Sequence, residues 1–223
     1  MRPIIQARDI YKHYRSGDVH TDALADVSFE VQQGEFVCLM GPSGCGKSTL
    51  MNVLGLLIPP SKGELIIGGV ETQKLNRTQL ARFRSRAIGF IFQGFNLLEE
   101  LSIIENVALP LKYSGLKQGE RRHRALAVLE EVGIAHRANH TPSQLSGGQQ
   151  QRAAIARALA SEADIILADE PTGNLDPATG LEIMNLLGEL KRRGTTIVMV
   201  SHALRDGEFS DRIIRLDGGR LAD

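Results

Sequence analysis

The sequence predicts an α/β fold: a mostly parallel sheet, an antiparallel β subdomain on its N-terminal side, and a helical subdomain inserted into it. Three observations lead there. Short continuous apolar runs, such as Phe36-Val37-Cys38-Leu39-Met40 and Ile165-Ile166-Leu167-Ala168, have the length of strands buried on both faces. Helical patterns alternate with these runs on both sides of a long middle block. Within that block, from residue 94 to about 160, the pattern is helical.

Each element follows in order. Residues 1–35 carry short alternating segments, Ile4-Ile5-Gln6-Ala7 and Ala25-Asp26-Val27-Ser28-Phe29-Glu30-Val31. They read as antiparallel strands with turns at Ser16-Gly17-Asp18 and Gln33-Gly34. The buried strand 36–40 leads through glycines into a helix over 48–57, which Pro59-Pro60-Ser61-Lys62-Gly63 ends. Residues 64–70 read as a strand pair and 88–92 as a further strand. Ala125, Leu126, Val128, Leu129 and Val132 form one stripe of an amphipathic helix over 121–132. Residues 164–169 and 195–200 return to buried strands, with a helix over 181–191 between them. The expected organisation is one domain, with a core of 1–93 and 156–223 and a helical subdomain of 94–155.

Composition narrows the function. The 223 residues suffice for one large core with an insertion. Lysine and arginine total 26, as do aspartate and glutamate, so the net charge is +0 and nucleic acid is not the expected partner. Aromatic residues are 4% with no Trp, which argues against a base-stacking surface. No apolar run approaches the ~18 residues that cross a bilayer, so any membrane role is expected to come through a partner. The two cysteines, Cys38 and Cys45, stand in a chain without a signal-peptide pattern, and a reduced cytosolic setting is expected.

Gly41-Pro42-Ser43-Gly44-Cys45-Gly46-Lys47-Ser48-Thr49 fits G-x-x-x-x-G-K-[ST] between a strand and a helix. Gly44 and Gly46 let successive N–H groups curl toward phosphate. Lys47 brings a positive charge to the β- and γ-phosphates, and the Ser48 hydroxyl is a hard oxygen ligand for Mg²⁺. Cys45 reads as a tolerated small residue of the loop. The motif in this context makes the parallel sheet a P-loop NTPase core. A second acidic landmark ends the strand 164–169, where ligands bind open α/β sheets. Asp169 is suited to hold Mg²⁺, and Glu170 to polarise an attacking water. Gln93, closing the strand 88–92, reaches for both metal and water. His202 follows the last buried strand and is a candidate for the γ-phosphate. Tyr14 is a candidate for stacking on a base, with Tyr11 as its rival.

The pentad Leu145-Ser146-Gly147-Gly148-Gln149 opens a strong helix-forming run, Gln149-Gln150-Gln151-Arg152-Ala153-Ala154-Ile155-Ala156-Arg157-Ala158-Leu159. Ser146 and the glycines therefore sit at a helix N-terminus, which favours an anion.

Together these residues resemble the nucleotide-binding subunit of ABC transporters over essentially the whole chain. The resemblance takes in the Walker A segment 41–49, the Gln93 loop, the signature 145–149, the Walker B strand with Glu170, the D-loop Asn174-Leu175-Asp176, and His202. It implies ATP with Mg²⁺ and a head-to-tail dimer. In that dimer Ser146, Gly147, Gly148 and Gln149 of one copy close over ATP on the other, and hydrolysis reopens the pair. Residues 88–98, 105–111 and 168–176 look like the MacB/LolD/FtsE-type branch. That likeness implies integral membrane permease subunits as partners, and through them a periplasmic adaptor. It implies a peripheral place on the cytoplasmic face of the inner membrane, and export or extrusion by force transmission. An FtsE-like regulator without transport is the alternative, and a soluble ABC ATPase on nucleic acid or ribosomes a more distant one. Phe95, Leu97, Leu98 and Leu101 suit either a partner interface or a core. Two departures stand out: Ala203 follows His202 where relatives often carry Asp, and the sequence runs only shortly past Arg220-Leu221, so the branch of sugar importers with a C-terminal regulatory domain is not the expected one.

Overall fold

In a computed structural model residues 3–16 and 19–222 are described, and they fall into two units. One comprises the chain up to Arg84 together with the residues from Lys191 onward, and the other is Ser85–Leu190.

In the first unit, the early alternating segments form two long strands rather than several short ones. β1 (Pro3–Ser16) and β2 (Val19–Gln32) pair antiparallel, with Ala7 opposite Phe29 and Ile10 opposite Val27. Bulges let the strands stay continuous: Asp9 and Asp26 take φ of 48° and 61°, and the Asp9 N–H donates to Ser28 Oγ at 2.8 Å. Of the turn expected at Ser16-Gly17-Asp18, Gly17 and Asp18 lie outside the described residues. The turn at Gln33-Gly34 is present, closed by the Glu35 N–H on the Gln32 carbonyl at 3.1 Å. β4 (Lys62–Ile67) pairs with β1 and β5 (Val70–Glu71) with β4, both antiparallel.

β3 (Phe36–Met40) is buried along its whole length, as its unbroken apolar run requires. It pairs in parallel with β8 (Thr196–Val200) on one side and β9 (Arg212–Asp217) on the other, and β10 (Arg220–Ala222) closes a hairpin on β9. α1 (Lys47–Leu54) stops at Gly55, short of the expected end, because the chain turns through Leu56 at φ 55° before the prolines. The short helix α7 (Leu204–Gly207) follows β8.

α2 (Arg77–Ala87) buries none of its residues, so it presents no apolar stripe to read from sequence. Its start is a reciprocal cap between Asn76 and Gln79, each backbone N–H meeting the other's side-chain oxygen at 2.9 Å.

In the second unit, β6 (Ile88–Phe92) and β7 (Ile165–Asp169) pair in parallel with Phe92 opposite Asp169. The helical block expected from residue 94 to about 160 is only partly helical. It holds α3 (Ile103–Ala108), α4 (Gln118–Glu131) and α5 (Gly147–Ala160), joined by 3-10 turns at Pro110–Tyr113, Ala135–Arg137 and Pro142–Gln144. Residues 94–102 are not helical. The fully buried Asn106 explains part of this: its Oδ1 accepts from the Leu98 N–H at 2.7 Å, and its Nδ2 donates to the carbonyls of Leu98, Leu101 and Ser102. That side chain satisfies a loop backbone that a helix would otherwise have satisfied. α5 is rich in buried alanine, which lets it lie close on β6, where a Cβ on Gly89 would stand 2.5 Å from the Ala158 carbonyl. α6 (Pro177–Arg192) completes the element order. Among the described residues no helix is long and apolar enough to cross a membrane.

Candidate functional site

In the first unit the loop from Gly41 to Thr49 joins β3 to α1, the context its motif requires. Gly46 is the N-cap of α1 at φ 105°, with no side-chain cap. A Cβ there would lie 2.4 Å from the Ala23 carbonyl, so both the backbone angle and the neighbouring strand demand glycine. The first turn of α1 therefore presents N–H groups without a side-chain acceptor, the electropositive end of the helix. Gly44, at φ 78°, has nothing within 4 Å of where a Cβ would stand, which leaves its face of the loop open.

Lys47 is only 5% exposed. Its ammonium folds back onto the loop, donating to the carbonyls of Gly41 and Pro42, both at 2.8 Å, and contacting Cys45 Sγ at 3.7 Å. A buried cation solvated by carbonyls and a sulfur atom lacks the counter-charge that burial favours, so the site suits an anion. Pro42, Ser43 and Ser48 are exposed, Thr49 is half-buried, and Cys45 is buried as a free thiol. Cys38, inside β3, is a different case: burial, with Asp206 adding to it, pushes its thiol up to about 12 and keeps it protonated.

His202 is exposed at the end of β8. It shares a hollow of about 400 Å³ with Gly41, Pro42, Ser201, Arg215 and Asp217, so the first unit brings the start of the phosphate loop and His202 around one space. Ala203, where an Asp was the familial expectation, uses its backbone instead: its N–H donates to Ser201 Oγ at 3.0 Å, and that hydroxyl donates to Asp206 at 2.7 Å. Tyr14 is 44% exposed on β1, with the Lys12 ammonium 5.4 Å from its ring centroid. Tyr11 is half-buried, with Lys62 at 5.1 Å.

In the second unit Gln93 and Glu170 each stand one residue past the paired Phe92 and Asp169. The loop after β7 is tightly bonded to itself and to Gln93. The Gly173 N–H donates to the Glu170 carbonyl at 3.0 Å, and Asn174 Nδ2 to the Gln93 carbonyl at 3.0 Å. A Cβ on Gly173 would come within 2.6 Å of Gln93 Nε2, so the Gln93 amide lies over that glycine. Glu170 itself holds φ at 45°, a left-handed backbone that carries strain in a non-glycine residue. Asp176 caps α6, accepting from the Ala178 and Thr179 N–H groups, both at 3.1 Å. Hydrogen bonding from Thr179 holds its carboxyl below the usual range.

The signature residues stand at the start of α5. Ser146 is exposed and forms a reciprocal cap with Gln149: Ser146 N–H to Gln149 Oε1 at 3.1 Å, and Gln149 N–H to Ser146 Oγ at 3.4 Å. Gly147 and Gly148 are packed as well as small. A Cβ on Gly147 would meet Leu175 at 3.3 Å and Phe95 at 3.7 Å, and one on Gly148 would meet Thr179 Cγ2 at 2.4 Å. The pair thus serves close packing within its own chain, a use that spacing did not indicate. Sequence reasoning also missed Arg157 of α5, whose guanidinium donates to the Phe95 carbonyl at 2.8 Å and to that of Asn96. Burial pulls its pKa down. An Arg in a helix facing alanines carries no sequence signal of such a clamp.

Among the described residues no cluster of three or more His, Cys, Asp or Glu side chains is placed for a metal ion. Taken separately, the Ser48 hydroxyl of the first unit and the Asp169 carboxylate of the second are hard oxygen donors of the kind Mg²⁺ takes.

Comparison with known proteins shows the family. The family model for the ABC transporter matches residues 24–173. An uncharacterized ABC transporter ATP-binding protein of Thermotoga maritima is 49% identical over 221 residues, covering 99% of this chain and 94% of the relative. The macrolide export ATP-binding/permease protein MacB of Chlorobium luteolum is 49% identical over 97% of this chain, which spans only 32% of that relative. The solved dimer of the ATP-binding cassette MJ0796 in a post-hydrolysis state, bound to ADP and Pi, superposes with a TM-score of 0.90 at 44% identity, covering 98% of this chain and 97% of that one. The chain belongs to the ABC transporter family, as an ATP-binding ABC ATPase domain.

Proposed function

We propose that two copies of this chain assemble head-to-tail around two ATP molecules and hydrolyse them to power a membrane complex of the MacB/LolD type. The observation that carries the reading is the buried Lys47 ammonium in an uncapped glycine loop, a site that wants a polyanion. Backbone N–H groups from Gly41 to Thr49 cradle the phosphates, Lys47 pairs with the β- and γ-oxygens, and Tyr14 stacks on adenine. Ser48, Asp169 and Gln93 would hold Mg²⁺, which when bound neutralises charge on the phosphate oxygens. Glu170 takes a proton from the attacking water as the Pγ–O bond to ADP breaks, and His202 donates to the γ-phosphate. Ser146, Gly147, Gly148 and Gln149 of the partner copy close the site from the other side. The solved dimer of the MJ0796 cassette supports the two-copy arrangement.

The MacB-type relatives carry the word permease in their names, and this chain spans about a third of them. That supports integral membrane permease subunits as partners, reached through the helical subdomain of 94–155, with the cassette peripheral on the cytoplasmic face and an adaptor reached through the permease. Export or extrusion by force transmission is the work such an assembly does. The test is ATP turnover by Glu170→Gln. Loss of the general base is expected to lower kcat by roughly 10²–10⁴-fold while ATP still binds. Unchanged hydrolysis would remove Glu170 from the chemistry.

A further inference from the structure

Gln151 is fully buried in α5, yet only half of its amide is satisfied. Its Nε2 donates to the Pro171 carbonyl at 2.7 Å, and its Oε1 meets no donor among the described residues. An apolar side chain of the same length would fill the space without the unpaired oxygen, so the glutamine is held there for its one bond. That bond lands on the residue directly after Glu170, whose backbone is left-handed at φ 45°. A strained non-glycine residue persists only where its surroundings fix it. On its N-terminal side Glu170 is fixed by β7, and its own carbonyl accepts from Gly173. Gln151 fixes the next peptide.

The same helix repeats the device. Four non-glycine residues of this unit have positive φ: Phe95, Asn96, Glu162 and Glu170. Phe95 and Asn96, at 58° and 51°, follow directly on Gln93 and Gly94, and Arg157 of α5 donates to both their carbonyls. Gln151 and Arg157 are six positions apart, so they leave the helix on different sides about 9 Å apart along its axis. One long polar side chain thus grips each of the two strained segments that carry Gln93 and Glu170.

We infer that Gln151 is a positioning residue for hydrolysis: through the Pro171 carbonyl it sets the backbone of Glu170, making α5 the frame of the catalytic carboxylate in its own subunit. This rests on the proposed role of Glu170 as the base. It adds that one rigid helix ties two ATP sites together. Its first residues close the partner's site, and its fifth residue holds the base of its own.

The experiment is steady-state ATP hydrolysis and thermal melting of the full chain carrying Gln151→Met or Gln151→His, with Glu170→Gln as reference. Met matches the shape without the donor. The His ring places an N–H at the reach of the Gln amide. Gln151→Met is expected to lose about tenfold or more in kcat, because a small displacement of a base is costly. Its KM for ATP stays within about twofold and its melting temperature does not fall. Gln151→His is expected to recover kcat to within about threefold of the wild type. Wild-type kcat in Gln151→Met overturns the inference. So does a loss that tracks a lowered melting temperature, or one that His does not rescue. If Glu170→Gln hydrolyses ATP like the wild type, the reading of Glu170 has failed. If Glu170→Gln is inactive while Gln151→Met is normal, only the positioning role has failed.

Discussion

Helix α1 begins at Gly46 with no side chain over its first turn, whereas α5 begins at Ser146 under a reciprocal cap with Gln149. Both starts are glycine-rich and both suit an anion, but their preparation differs. At α1 a buried ammonium is already folded into the loop, and no side chain caps the helix N–H groups. At α5 the cap occupies the Gln149 N–H through a long 3.4 Å contact, and the glycines are spent partly on packing against Phe95, Leu175 and Thr179. The first is an anion site complete in charge. In the proposed dimer the second would serve as a lid, its long Ser146–Gln149 contact the one that would yield to a phosphate. This contrast explains why one chain carries two such motifs without redundancy.

The comparison can be broken in ways of graded size. Lys47→Ala removes the only charge of the loop, and ATP affinity measured by fluorescence titration is expected to fall about 100-fold or more, as for loss of charged hydrogen bonds. Unaltered affinity would leave α1 with no advantage over α5. A smaller effect separates the glycines. Gly46→Ala must hold a side chain at φ 105° against the Ala23 carbonyl, a cost of about 1–3 kcal/mol and a melting transition roughly 2–12 °C lower. Gly148→Ala keeps a helical backbone and gains helix propensity but must displace the stiff Thr179 side chain, so its loss is expected to be about 1 kcal/mol, below that of Gly46→Ala. The reverse order in a thermal melt would mean that the signature glycines, not the phosphate loop, bear the backbone constraint.

How far the molecule was legible in its sequence follows the same physics. β3, β7 and β8 were readable because a strand buried on both faces has to be apolar at every position. α2 was not, because it buries nothing and is specified by the Asn76–Gln79 cap. β9 and β10 were passed over although Arg212-Ile213-Ile214-Arg215-Leu216-Asp217 and the Gly218-Gly219 turn carry a hairpin signal, because charges flank the apolar residues. The break in the helical block turns on Asn106, whose burial no periodicity discloses. At the candidate site, the motif residues could be named because their spacing is fixed. Gln151 and Arg157 were not, since their roles depend on carbonyls far away in sequence, at Pro171, Phe95 and Asn96.

The central claim is that α5 of one copy completes the phosphate site of another, and the most direct measurement is the mass in solution of Glu170→Gln with ATP. Light scattering is expected to find dimers with ATP and monomers without it. Adding Ser146→Arg, which places a long side chain where the lid must close, is expected to return the protein to monomers while ATP still binds. Dimers that persist with Ser146→Arg, or Glu170→Gln that stays monomeric at saturating ATP, would contradict the shared site.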